Sequence, residues 1–454
     1  NCRGDVILDE FNKPLYLIGC VNEIGKRQKA DNISGLLREP SLEEYVSSKS
    51  KNNITGYFMQ IGIDDFDEIN GRFGLKCGDE ILKQFSMCMQ SCINENQKIY
   101  ELGNGRFIIM DLANHSKEDI LELYDELKKS VEVALEENVY RVVYTISVGI
   151  VEIDKEMKDY DTLIKYSDFA LNEAKKKGKN SCYFFTQDKH KQFIRRREIR
   201  VELQNAVDHN FKNFDVYYQP IIDIHTRNLI GAEALMRFKM KRNEQIEFIS
   251  PAEFIPILEE SGLIIPAGRW ILRQAVACCK KWQEFIPEFK VNVNLSYVQI
   301  IKSKILDEIK QALKDFNLKP ALLGIEVTES GYLENTYHYK KLWSSLKEEG
   351  ITLILDDYGT GYSNAYRLSD LTPHYIKIDR VLTQKALSSN YERSILIYII
   401  EMAHSLKLNV CIEGVETEEE LQEIKKLNPD YIQGYLFGKP APEDEFYNRQ
   451  IKKK

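Results

Sequence analysis

At 454 residues the chain is too long for one ordinary core, and 43% hydrophobic residues, 29% charged residues and 12 prolines place it with two-domain soluble globular proteins rather than disordered or fibrous ones. A net charge of −8 argues against a general nucleic-acid binder, whose basic face must offset phosphates, so neither DNA nor RNA is an expected partner. Nine cysteines without a CxxC pair, with Cys278 and Cys279 adjacent, suggest neither a disulfide framework nor a zinc site and read as buried thiols in a reducing cytosol.

No stretch reaches the 18 or so uninterrupted apolar residues of a membrane span; the best, 394–403, is short and contains Glu401. The chain opens at Asn1 without a methionine or a signal-like apolar run, so it is read as a cytoplasmic fragment whose upstream part, membrane-attached or not, is missing.

Residues 5–24 read as two apolar strands joined by an Asn-Lys-Pro turn, and a charged stretch follows at 25–32. Strands expected at 54–63, 107–110 and 144–151, with helical patterns between them, make the next stretch an α/β domain ending near Gln187. The basic segment 189–207 reads as a solvated connecting helix. Beyond it, apolar β-branched runs end repeatedly in an acid, amide or lysine: Glu233, Asn294, Glu326, Asp356 with Asp357, Lys377, Glu413 and Gln433. Amphipathic helical stretches such as PAEFIPILEESG and EELQEIKKL lie between them. A strand followed by a helix at that repeat is the unit of a (β/α)8 TIM-like barrel, in which groups at the strands' C-terminal ends share one face.

If the strand ends converge, five carboxylates meet Asn294, Gln433 and a single lysine at one mouth. Like charges about 4 Å apart repel by roughly 4 kcal/mol per pair at an effective dielectric near 20. Such a cluster needs cations or protons. Oxygen ligands without cysteine or histidine suit Mg²⁺ or Mn²⁺, and the Asp356 and Asp357 pair is placed to bridge two ions. Two metals can activate water and stabilise the leaving oxygen of a phosphodiester hydrolysis. A lone acid at a strand end is more often a solvated or helix-capping group; seven in register are not. The Gly359, Thr360, Gly361 run reads either as a βα turn or as a loop that approaches the metal site closely.

The motifs GAEALMRF, VNVNLS, IEVTES, LDDYGTGYSN, YIKIDR, IEGVETEEEL and YIQGYLFGKP, in that order over about 196–447, resemble the signature motifs of the EAL domain family. The resemblance implies a barrel phosphodiesterase that linearises cyclic di-GMP to pGpG with two divalent cations. It assigns Glu233, Asn294, Glu326 and Asp356 to one metal, with Glu413 close by, and Asp357 to the second. Lys377 would hydrogen-bond or deprotonate the attacking water, with Glu413 the rival base. Glu329 resembles the residue that steadies the loop 356–364. Gln219, Leu235, Arg237, Asp379, Glu416, Gln433 and Tyr435 would meet the dinucleotide, Arg237 through a phosphate. Tyr358 stands where the family more often has phenylalanine.

Residues 31–185 resemble the GGDEF diguanylate cyclase family through DNISGLL, IDDFDEINGRFGLKCGDEIL, YELGNGRFIIM, TISVGI and SDFALNEAKKKGKN. The signature itself reads Gly103, Asn104, Gly105, Arg106, Phe107, so both of its acids are replaced, and the other metal-binding aspartate falls at Gly62. The resemblance therefore implies a cyclase fold without cyclase chemistry. Asn70 and Asp79 match guanine contacts and Lys175 a phosphate contact, which leaves room for weak GTP binding without turnover. The inhibitory RxxD motif is replaced by NENQ at 94–97, so product inhibition there is not expected.

The N-terminal hairpin and charged segment resemble the end of a PAS sensor domain and its linker. The expected division is therefore 1–30 for the PAS-like end, 31–187 for a degenerate GGDEF domain, 188–200 for a linker helix and 201–454 for the EAL domain. The expected protein is a homodimeric phosphodiesterase whose first domain regulates or dimerises it. The competing reading is a cyclic di-GMP sensor without hydrolysis, against which the intact set of metal ligands counts.

Overall fold

The computed structural model describes residues 2–8, 14–21, 30–49, 55–113, 115–136, 142–154, 159–242, 244–328, 336–359 and 372–452. It divides into a unit of Asn1–Ile194 and a unit of Arg195–Lys454. The division falls within helix Gln187–Asp208. No helix among the described residues is long and apolar enough to cross a membrane.

In the first unit, β1 (Cys2–Leu8) and β2 (Pro14–Val21) form an antiparallel pair by themselves. The rest of its strands make one sheet: β3 (Leu37–Arg38), β4 (Gly56–Ile63), β5 (Gln97–Gly103), β6 (Arg106–Asp111), β7 (Ile146–Ile153) and β8 (Cys182–Phe184), in the order 3-5-6-4-7-8. β4, GYFMQIGI, is buried at every position because helices cover both faces of the sheet, which is why it reads as a continuous apolar run rather than an alternating one. Tyr57, Met59, Ile61 and Ile63 face the cluster that includes Ile81, Phe85, Leu123 and Leu127. Phe58 faces the opposite side, with Leu42, Val46 and Leu163. The sequence reading misses β5, whose QKIYELG mixes charge with apolar residues and carries no clean period.

The second unit contains β9 (Phe214–Asp223), β10 (Leu229–Arg242), β11 (Gln245–Ile249), β12 (Lys290–Asn294), β13 (Leu323–Thr328), β14 (Thr352–Tyr358), β15 (Tyr375–Ile378), β16 (Asn409–Glu413), β17 (Tyr431–Gln433) and β18 (Ala441–Pro442). Among the described residues, eight of these close into a barrel, because β9 pairs with both β10 and β17. Parallel pairing runs unbroken from β10 through β12 to β17. β9 departs from a pure βα repeat. It is antiparallel to both neighbours and reaches β10 by a tight turn, in which Asp223 Oδ1 accepts from the backbone N–H groups of His225 and Thr226 at 3.0 and 2.8 Å.

Outside β9, Trp282 and Phe446 stack at 4.8 Å, and Tyr218 meets Trp282 edge-on at 4.8 Å. All three are essentially fully buried. Replacing Phe446 by alanine should cost the barrel about 3–5 kcal/mol. Urea denaturation followed by tryptophan fluorescence checks this, since Trp270, Trp282 and Trp343 all lie in the second unit. An unchanged midpoint would mean that this cluster does not hold the barrel.

Candidate active site

Parallel register carries the sequence-predicted groups to one end of the barrel. Glu233 stands beside Asn292 on β12, Asn294 beside Glu326, Thr328 beside Asp356, and Glu413 beside Gln433. Alternation along β10 sends Glu233, Leu235 and Arg237 to one face, while Ala234, Met236 and Phe238 pack into the core. Gln219 arrives from the antiparallel strand, directly opposite Glu233.

The centre of the arrangement is Lys377, with its side chain 1% exposed. Its Nζ lies 2.8 Å from Glu233 Oε2, 3.0 Å from Glu326 Oε2, 2.7 Å from Glu413 Oε1 and 3.5 Å from Asp356 Oδ1. Burial opposes the charged amine, but the surrounding carboxylates outweigh it and hold Lys377 well above an ordinary lysine. Glu233 also accepts from Asn294 Nδ2 at 2.7 Å and Gln433 Nε2 at 2.8 Å. Burial alone would raise its pKa; Lys377 and these donors bring it below the usual value. Glu326, buried and beside Glu233, is pushed well above the carboxylate range despite Lys377. Burial raises Asp356 too, lifts Asp357 to about 6 with the help of Asp356, and lifts Glu413 to about 8 against the pull of Lys377.

Four carboxylates against one ammonium leave the site short of positive charge. Ligand oxygens of Glu233, Glu326 and Asp356 lie within 4.8 Å of one another, an all-oxygen donor set that fits a hard divalent cation. Gln433, whose Nε2 donates to Glu233, keeps its Oε1 buried without a hydrogen-bond partner among the described residues. Asp357 stands apart from that trio. It follows Asp356 at φ 55°, beside the register shift between β14 and β15, and both aspartates line one hollow.

Two hollows open here, sharing Leu235 and Asp356. One of about 260 Å³ is lined by Gln219, Glu413, Glu416, Gln433 and Tyr435; the other, about 840 Å³, takes in Arg237, Asn294 and Asp357. Arg237 lies 5.6 Å from the Tyr217 ring and donates to the Met236 carbonyl at 2.9 Å. Glu416 is held by Arg380 at 2.7 Å, and Asp379 caps helix Arg380–Ser388 by accepting from the Val381 N–H at 2.7 Å. Glu329 and the loop segment 360–371 lie outside the described residues. The sequence reading passes over Asn292. Its Nδ2 donates to Glu326 Oε1 at 2.8 Å and to the Tyr375 hydroxyl at 2.7 Å. The signal was present, since residues 292 and 294 alternate onto one face of the strand.

In the first unit, Gly62 pairs with Arg106 across β4 and β6, and Lys175 Nζ lies 3.2 Å from where a β-carbon at Gly62 would stand. Arg106 reaches Asp168 at 3.6 Å. Gly105, at φ +68°, has no room for a side chain, because a β-carbon there would stand 2.8 Å from the Phe66 ring. The side chain of Asn70 packs over Gly78, and Asp79 is exposed.

A family model described as "EAL domain" matches residues 200–440, more than half of the chain. The chain belongs to the EAL domain family. A second model, "Diguanylate cyclase, GGDEF domain", matches residues 29–181, so a GGDEF domain precedes the EAL domain. Signaling protein YkoW of Bacillus subtilis is 31% identical over 87% of this chain and 48% of its own length. Cyclic di-GMP phosphodiesterase PdeR of Escherichia coli is 28% identical over 93% of this chain and 64% of its own. The PaMucR phosphodiesterase, solved as a c-di-GMP complex, matches the fold with a TM-score of 0.52 at 29% identity, covering 55% of this chain and 99% of that one. The chain spans less than two thirds of the length of these two curated relatives.

The charge shortage of the EAL site has a measurable sign. Glu413, raised from 4.5 to about 8, favours the folded state below pH 4.5, and that contribution is lost as pH rises through 8. A divalent cation favours the carboxylate, so Mn²⁺ added at pH 7 to chelator-stripped protein should expel roughly one or two protons, and far fewer at pH 9.5. Calorimetric titration in buffers of different ionisation enthalpy measures this; proton-neutral Mn²⁺ binding at pH 7 would contradict it.

Proposed function

We propose that the EAL domain hydrolyses cyclic di-GMP to linear pGpG, using two Mg²⁺ or Mn²⁺ ions. The observation that carries this reading is the ring of strand-end groups around Lys377, within a domain that matches the EAL family along its whole barrel. In the proposal Glu233, Asn294, Glu326 and Asp356 hold one ion with Glu413 nearby, and Asp357 contributes to the second. Cations bound there would neutralise the phosphodiester and make a bound water more acidic.

The chain's own residues do the rest. Water oxygen adds to phosphorus in line with the departing 3′-oxygen; the P–O3′ bond breaks, and the 3′-oxygen leaves as an alkoxide that takes a proton from solvent. Lys377, its three N–H groups directed at Glu233, Glu326 and Glu413, stays protonated and spaces the carboxylates. Glu413, with a fifth of its side chain exposed to the cleft, takes the proton. Arg237 on one wall binds a phosphate, while Gln219, Leu235, Asp379, Glu416, Gln433 and Tyr435 orient the dinucleotide. Glu329 would steady the catalytic loop.

The proposal divides the chain into a PAS-like end at 1–30, a GGDEF domain at 31–187, a linker at 188–200 and the EAL domain at 201–454. With Gly62, Gly105 and Arg106 in place of metal-binding acids, the GGDEF domain makes no cyclic di-GMP; it regulates or dimerises a cytoplasmic homodimer, and Asn70, Asp79 and Lys175 leave room for GTP binding.

Incubating cyclic di-GMP with the chain and Mn²⁺ should yield pGpG, and EDTA should abolish it. Intact cyclic di-GMP despite measured binding would turn the reading into that of a sensor. Glu233→Ala and Asp356→Ala should each lower turnover at least about a thousand-fold, roughly 4 kcal/mol of lost transition-state stabilisation; near-wild-type rates would mean the ligand set is wrong. Incubation with GTP and Mg²⁺ should give no cyclic di-GMP, and its appearance would restore cyclase activity to the first domain.

A further inference from the structure

We infer that Asn292 is a positioning residue for the cation site, holding Glu326 in the rotation that turns one carboxylate oxygen toward Glu233 and Asp356. The inference rests on the reading of the barrel as a divalent-cation hydrolase. Glu326 is fully buried, and its two oxygens have different partners: Oε2 faces Lys377 at 3.0 Å, and Oε1 accepts from Asn292 Nδ2 at 2.8 Å. In the ionised form that holds a cation Glu326 only accepts, and it is the amide nitrogen of Asn292 that points at it.

Three features hold the carboxamide in place. Asn292 is 1% exposed, so no solvent competes for its donors. Its second N–H is taken by the Tyr375 hydroxyl at 2.7 Å, leaving neither donor free to rotate away. Its oxygen lies against the neighbouring strand at Gly324, its register partner, where a β-carbon would stand 2.2 Å from Oδ1. Any larger residue at 324 would push the amide out of this slot. Asn292 touches neither the cleft nor a reacting atom; it acts through Glu326, as partners of metal ligands do when they fix a ligand's orientation.

The test compares wild type, Asn292→Leu, Tyr375→Phe and the double variant in the full chain stripped with chelator, using Mn²⁺ as the probe and electron paramagnetic resonance to count free ion. Asn292→Leu keeps the volume but removes the donor, and should weaken Mn²⁺ binding about 10- to 100-fold. Tyr375→Phe spares the bond to Glu326 and should weaken it by only about three- to ten-fold. The double variant should be no worse than Asn292→Leu alone, since the tyrosine acts through the asparagine. At Mn²⁺ saturating each protein, KM for cyclic di-GMP should stay within about two-fold of wild type while the Mn²⁺ needed for half-maximal kcat rises. Wild-type Mn²⁺ affinity in Asn292→Leu, or additive losses in the double variant, would overturn the inference alone. A wild-type chain that neither binds Mn²⁺ nor hydrolyses cyclic di-GMP would overturn the parent reading and this one with it. Should Asn292→Leu fail to fold, judged by tryptophan fluorescence, wild-type affinity in Tyr375→Phe decides against the inference.

Discussion

A buried ammonium among carboxylates is the constraint on which the barrel's working end depends. Lys377 is almost wholly withdrawn from water, and only the acids around it make that burial tolerable. The converse does not hold, because one lysine cannot balance Glu233, Glu326, Asp356 and Glu413. The protein therefore gathers more acids than one lysine can balance at the end of a rigid sheet, and the raised Glu326 and Glu413 show that protons, or cations in their place, make up the difference. Because those carboxylates come from four strands, any change in barrel register would break it.

Beneath the charged ring the barrel is not uniformly apolar. Asn292 and Tyr375 form a polar step between Glu326 and the core, next to Ile354 and Cys411. A buried amide and hydroxyl are tolerated there because they bond to each other and the amide also bonds to the carboxylate. The gap at Gly324 is the geometric condition for that step, so the site extends one layer deeper than the groups that would touch an ion.

The first unit is built on a separate six-stranded sheet. Its central strand is packed on both faces, and the pairing of β4 with β6 still brings Gly62 opposite Arg106. The side chains there are a glycine with a lysine amine close by, an arginine, and a glycine with an aromatic ring filling the place of a side chain.

The barrel and its ring of acids were legible because parallel strands buried on both faces appear as short β-branched runs, and a group that ends such a run lies at the mouth. Local pattern and local chemistry settle those points without the rest of the chain. What depends on three-dimensional packing was hidden. An apolar run such as that of β9 does not state its direction, so the antiparallel entry of Gln219 came only with barrel closure. The positive φ of Asp357 at the register shift between β14 and β15 is likewise something neighbouring aspartates do not announce. The bond between Glu416 and Arg380, and the bond of Asn292 to Glu326, join residues whose meeting is decided by strand register and side-chain packing. Residue type and spacing determined which chemistry the chain can support; the tertiary structure decided which oxygen faces which donor, because hydrogen bonds are set by distance and angle that only the folded barrel fixes.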